Sequence, residues 1–329
     1  MVKFLIQRTL GLVVTMFFVS IMVFVLMELP SGDYAERYAF RKFSGTGTQV
    51  TQADIENIRV EFGLDRPAWE RYLAWIGGIV TRFDFGDAFA FQTSVNNVIG
   101  QRLWLTLALL FATLLLTYLF AIPIGIYAAV RRNSIEDYTL TVFSYLGLAL
   151  PNFLLALVML YISVTLFDGT VGGLFSPRYA DQPWSWAKFV DLLNHLWVPA
   201  LVLAWSATAF QLQTVRATML DEMNKLAVTA ARARGIPEWK LLFKYPARLA
   251  INPVVSTMGF DMNRIFSELP IVALVLSLPE LGQLLITSYL DLDMFVAGAI
   301  LLMLTFMIVL MNFVSDILLA VLDPRVKLG

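Results

Sequence analysis

Four polar residues interrupt one otherwise apolar stretch, Ile251 to Leu278: Asp261, Asn263, Arg264 and Glu268. In hydrocarbon, carboxylates and a guanidinium either neutralise one another or mark a proton relay or solute path. Asp261 stands three residues before Arg264 and Glu268 four after it. One helical face can therefore carry all three, and pairing through Arg264 is expected. A second charged group fills Arg216 to Ala250, with seven basic residues against three acidic ones. Such a segment stays out of lipid and marks a cytoplasmic side. It is either a solvated connector or a docking element. Covalent chemistry has no support: there is no Cys, His195 is the only histidine, and no G-x-x-x-x-G-K-[ST] occurs. No catalytic residue, metal site or cofactor is expected.

The elements that must hold these groups are membrane helices. Of 329 residues 58% are apolar and only 15% charged, with mean hydropathy +0.71, against roughly a quarter charged in a soluble domain. A net charge of −1 gives no steering toward nucleic acid. Leu10 to Met27, behind Lys3 and Arg8, reads as a retained first span entering from the cytoplasm. Leu103 to Val130 carries no charge and ends at Arg131-Arg132. Tyr138 to Phe167 is interrupted by Pro151-Asn152, a break that suits a cavity-lining helix. Leu196 to Val215 follows, then Ile251 to Leu278, then Met294 to Val314. The thirteen Val, Ile, Leu and Phe residues of the fifth span favour insertion by about 4–8 kcal/mol. Its three charges oppose insertion by about 8–10 kcal/mol. That helix must face a bundle interior or a wet cavity.

The expected protein is thus all-α and polytopic, with six spans and both termini cytoplasmic. Residues 1–30 form the first span, 31–102 an external region, and 103–329 a five-helix core with the inner loop 216–250. In the external region Thr51-Gln52-Ala53-Asp54 starts a helix with Ile55, Ile58 and Phe62 on one face, closed by Gly63. Asp65-Arg66-Pro67 starts a second, with Trp69, Tyr72, Leu73, Ile76 and Ile79 as its apolar stripe. Leu278 to Asp293 reads as an external loop, Trp184 and Trp186 as interface anchors, and His195 as an interface residue. In the inner loop, Leu220, Met223 and Leu226 recur at helical spacing before Ala230-Ala231-Arg232-Ala233-Arg234. One helix is expected there, stopped by Gly235, with another opened by Pro237.

The order Ala230-Ala231-Arg232-Ala233-Arg234-Gly235, followed by Ile251-Asn252-Pro253, resembles the ATPase-docking loop of binding-protein-dependent ABC importer permases in the dipeptide/oligopeptide branch. Thr229 stands where the loop's usual Glu would be. Leu29-Pro30-Ser31-Gly32-Asp33 is similar to the family's signature after its first span, and Phe62-Gly63-Leu64-Asp65-Arg66-Pro67 to its outer-helix motif. Leu278-Pro279-Glu280-Leu281-Gly282 and Leu322-Asp323-Pro324-Arg325-Val326 resemble its last turn and its ending. The fifth span departs from the family in carrying Asp261, Arg264 and Glu268.

The resemblance implies a type I importer permease fold in a bacterial cytoplasmic (inner) membrane and a second permease subunit, most simply in a heterodimer. It further implies two cytoplasmic ABC ATPases that hydrolyse the ATP and an external solute-binding protein delivering oligopeptides or related solutes such as oligosaccharides. Leu220, Met223, Leu226, Ala230, Ala231, Arg232, Arg234, Gly235 and Pro237 would couple to the ATPase. Pro151, Asn152, Asp261, Asn263, Arg264 and Glu268 would lie along the translocation path. The competing reading is a secondary transporter using Asp261, Arg264 and Glu268 as a proton relay. It leaves the basic inner loop unexplained.

Overall fold

The computed structural model of the chain describes residues 2–29, 34–43, 50–61, 63–167, 173–176, 178–179 and 182–322. Residues 30–33, Phe62 and Asp323–Lys327, which carry parts of three sequence motifs, lie outside the described residues. In chain order the helices are α1 (Val2–Glu28), α2 (Tyr34–Phe43), α3 (Gln52–Glu61) and α4 (Ala68–Arg82). A hairpin of β1 (Asp87–Ala88) and β2 (Thr93–Ser94) follows. Then come α5 (Val95–Val130), α6 (Ile135–Ala149), α7 (Asn152–Phe167), α8 (Trp186–Met223), α9 (Leu226–Ala233) and α10 (Glu238–Lys244). The chain continues through α11 (Pro246–Ser256), α12 (Met258–Val275), α13 (Leu281–Leu290) and α14 (Met294–Leu322).

Four helices, α1, α5, α8 and α14, are long and apolar enough to cross a membrane. The pair α6 and α7 would make a fifth crossing, bent by 102°. The bend sits where the sequence puts Pro151. Leu150 before it is extended, at φ −86° and ψ 124°, because the proline ring excludes the helical conformation for its predecessor. The expected fifth span is not one helix either: it divides at Thr257 into α11 and α12. The Thr257 hydroxyl lies 3.1 Å from the Pro253 carbonyl oxygen, a side-chain bond that competes with the helical ladder.

Contacts divide the chain into two compact units, one of residues 1–12, 106–279 and 308–329, the other of 13–105 and 280–307. In the first, α8 is the hub, packed by α6, α7, α11 and α12. Small residues permit the approach. A Cβ on Gly125 would come within 2.8 Å of Val215, and one on Gly147 within 2.8 Å of Ala209, the small-residue contact by which membrane helices gain dispersion energy. The cytoplasm-facing end expected of α6 is tied to α8 by a bidentate pair. Arg216 donates from Nε and Nη2 to Asp137 at 2.6 and 2.8 Å. Ser134 caps α6 by accepting from the Asp137 N–H at 3.2 Å.

In the second unit, Ala35 and Ala39 of α2 pack on Ile55 and Ile58 of α3. No helix was expected over α2, which packs through Ala35 and Ala39 with Tyr38 and Phe43 beside them. Thr51 caps α3 as expected, receiving the Asp54 N–H at 3.3 Å while its hydroxyl donates to Asp54 Oδ2 at 2.6 Å. Those bonds hold the Asp54 carboxyl below its ordinary range. The stripe of α4 is split: Tyr72, Ile76 and Ile79 pack with Val23, Phe24 and Trp75, whereas Trp69 and Leu73 are exposed. The stretch expected to be a loop before Asp293 contains α13. Glu280, fully buried, accepts from the Gln283 and Gly282 N–H groups at 2.5 Å each, and a carboxylate there caps a helix that propensity alone did not announce.

Candidate functional site

The basic segment between α8 and α11 folds as a compact projection. The chain leaves α8 at Asn224, whose side chain donates to the Leu220 carbonyl at 2.9 Å. This break corrects the expected single helix from Leu220 to Arg234. Leu220 and Met223 belong to the end of α8, where they pack around Met219, Ala129, Ala247 and Ala250. The projection proper begins with α9. Gly235 follows at φ +75°, a left-handed conformation that glycine takes without steric cost. Pro237 then precedes α10.

A small core of Val228, Ala231 and Leu241, with Ile236, Leu242 and Tyr245 beside it, holds α9 against α10. Ala231 is therefore inside the projection. Across the turn, Arg232 donates from Nη2 and Nε to Glu238 at 2.6 and 3.1 Å. The guanidinium keeps the Glu238 carboxyl below the usual range, chiefly by hydrogen bonding. Outside lie Leu226, which is 87% exposed, Ala230, Arg232 and Arg234. Trp239 and Phe243 stand beside them, also exposed. Those two aromatics, one helical turn apart on α10, went unread in the sequence. Their i, i+4 spacing is the sequence signal for a shared face.

The polar residues of the expected fifth span form two clusters in the first unit, not one triplet. Asp261, fully buried, accepts from the Tyr118 hydroxyl at 3.0 Å and from Gln211 Nε2, which also reaches the Thr257 hydroxyl at 2.8 Å. Glu268 is bonded by Asn152 Nδ2, which lies 3.2 Å from the Ser206 hydroxyl as well. Arg264 joins neither carboxylate through an ion pair. Its guanidinium lies over the Phe210 ring at 5.6 Å, and its Nε and Nη2 are buried without hydrogen-bond partners. Helical spacing allowed the triplet, but α5 and α8 supply neutral donors to Asp261, and α7 supplies one to Glu268. The partners Tyr118, Ser206, Phe210 and Gln211 were missed because they carry no charge. Asn152 and Glu268 meet; Pro151 and Asn263 are exposed and join neither cluster. His195, expected at an interface, is 8% exposed, its Nδ1 held 2.7 Å from the Asp191 carbonyl oxygen of its own helix.

A chain with this core and this projection matches two family descriptions over most of its length. Residues 121–328 match "Binding-protein-dependent transport system inner membrane component", and residues 1–110 match the N-terminal part of such a component. The chain belongs to this family. It is an ABC importer permease of the peptide transport family, a multi-pass protein of the bacterial inner membrane. The permease is 32% identical over 329 residues to the oligopeptide transport system permease protein AppB of Bacillus subtilis, covering 99% of this chain and 100% of that one. It is 30% identical over 327 residues to the glutathione transport system permease protein GsiC of Escherichia coli O1:K1, covering 99% of both. A Brucella ovis relative is 34% identical over 310 residues, covering 94% of this chain and 93% of its own.

Proposed function

We propose that this permease passes oligopeptides across the inner membrane, receiving them from an external solute-binding protein and drawing force from two cytoplasmic ABC ATPases seated on α9 and α10. The observation that carries the reading is the projection. It is rigidified by its own core and by the Arg232–Glu238 pair, yet it presents Leu226, Trp239 and Phe243 to solvent among basic residues. An apolar centre with a charged rim is the anatomy of a protein interface. Leu226, Ala230, Arg232 and Arg234 would make contact, while Ala231, Gly235 and Pro237 hold the shape. Leu220 and Met223 would carry displacement into α8. The AppB and GsiC names place those relatives in oligopeptide and glutathione transport, so peptides are favoured over oligosaccharides.

In this reading the six crossings are α1, α5, the α6–α7 pair, α8, α11 with α12, and α14. Residues 31–102 are external and 103–329 form the core of one permease subunit, which pairs with a second. Both termini are cytoplasmic. The short outer loops carry only Arg178 and Lys188, whereas Arg131, Arg132 and the basic projection lie inside. Peptide uptake by cells carrying the complete system should stop when ATP is depleted and persist under an uncoupler. The opposite pattern would favour the proton-coupled alternative built on Asp261, Arg264 and Glu268.

Arg264 is the proposed path residue with free donors. Because Asp261 and Glu268 have their own partners, Arg264→Leu should leave folded complex near wild-type level and cut peptide uptake about tenfold or more. Loss of the folded complex, with rescue by Asp261→Leu, would instead establish a structural ion pair.

A further inference from the structure

The second unit holds a cavity of about 180 Å³ lined by Arg66, Arg71, Trp75, Gly78, Arg82 and Asp84, among others. Three guanidinium-bearing residues surround it against one lining carboxylate, that of Asp84, whose Oδ1 accepts from the Gly86 N–H at 3.0 Å. Arg71 is half committed: its Nη2 lies 2.5 Å from Glu28, but its Nε is buried without a partner. Trp75 Nε1, a donor only, is buried and unpartnered too. Among the described residues Arg66 and Arg82 have no carboxylate partner, and Arg82 Nη2 lies 3.9 Å from where a Cβ on Gly78 would stand. The Asp84 carbonyl oxygen comes closer still, 3.1 Å from that point, so the missing side chain at Gly78 lets the chain turn back tightly onto α4. The exposed guanidinium groups of Arg66 and Arg82, beside two buried N–H donors without partners, suit an anion with several acceptor oxygens.

The position of the cavity selects the anion. Glu28, bound to Arg71, is the last residue of the apolar helix Lys3–Glu28, so the cavity lies within one side-chain reach of the end of a membrane crossing. On α4 the residues Arg71, Trp75, Gly78 and Arg82 share one face. Trp69, Leu73 and Val80, between 56 and 71% exposed, share the other. A helix with an exposed Trp- and Leu-bearing face and arginines opposite is suited to lie at the bilayer surface. We infer that this cavity is a headgroup site for an anionic phospholipid, with Arg66 and Arg82 holding phosphodiester oxygens and Arg71 and Trp75 completing the hydrogen bonds. The site serves the permease whatever its cargo, and its test does not depend on transport.

The test uses the intact transporter complex, delipidated in detergent and titrated with phosphatidylglycerol or phosphatidylcholine while bound lipid is counted by native mass spectrometry. The wild-type complex should bind phosphatidylglycerol about tenfold more tightly than phosphatidylcholine, and the double variant R66Q/R82Q should lose that preference. The substituted side chains have no ion-pair partner to strand, and R59Q on the neighbouring α3 should leave the preference intact. Equal phosphatidylglycerol binding by wild type and R66Q/R82Q would overturn the proposal. So would displacement of the lipid by millimolar inorganic phosphate, which would make the ligand a free anion. Unchanged lipid binding with loss of solute-binding-protein association in R66Q/R82Q would also overturn it, assigning the arginines to a protein carboxylate.

Discussion

Replacing both Arg232 and Arg234 by glutamate should abolish co-purification of the ATPase and uptake together, while the permease still inserts and pairs with its second subunit. Reversing two charges in a desolvated interface weakens association on the order of a hundredfold or more. The structure adds a complication that the sequence could not show. Arg232 also grips Glu238 across the turn between α9 and α10, so R232E sets two carboxylates against each other. Exchange of the pair, R232E/E238R, separates the two roles. If ATPase binding returns with the exchanged pair, Arg232 acts by holding the projection in shape. Should it stay lost, the guanidinium meets the partner directly. Leu226→Asp gives an independent measure, since Leu226 is 87% exposed and takes no part in the pair. Undiminished ATPase recovery from all of these variants would sink the docking role.

The largest effect on stability is expected at Asp137. Its side chain is 2% exposed and its partner Arg216 is 22% exposed. The carboxylate accepts from both Arg216 and the Asn133 N–H. Asp137→Ala would leave a guanidinium partly desolvated and unpaired, along with an unsatisfied backbone donor. Breaking such a pair from one side costs about 3–5 kcal/mol, enough to remove most folded permease from a marginally stable chain. Thermal unfolding of the purified permease should shift down accordingly, and the double variant D137A/R216A should recover part of the loss. A single variant as stable as wild type would mean that water or lipid headgroups substitute for the carboxylate. Because α8 leads directly to the projection, the same variant should also uncouple whatever folded protein survives.

Composition and pattern made much of this molecule readable. Long uncharged runs bounded by arginine gave the apolar helices, because in hydrocarbon the backbone has no alternative to its own ladder. Pro151 announced the break, Thr51 with Asp54 the start of α3, and Gly235 the end of α9, each through local chemistry that needs no distant partner. The second unit was legible in part. Its α4 stripe was found, while α2 and the helix α13 were missed, since their stability comes from Ala–Ile packing and from a buried capping carboxylate supplied by the tertiary arrangement.

What the sequence determined by itself is the kind of protein and the placing of its charges: a polytopic helical membrane protein with one cationic projection and one charged apolar segment. Those follow from the cost of putting charge into lipid, which is a property of each residue and its neighbours along the chain. Only the tertiary structure decided who pairs with whom. Asp261 goes to Tyr118 and Gln211, Glu268 to Asn152, and Arg264 to the face of Phe210, because neutral donors on other helices reach the carboxylates before the arginine on their own helix does. Spacing along one helix sets which contacts are possible, and packing against the others selects among them.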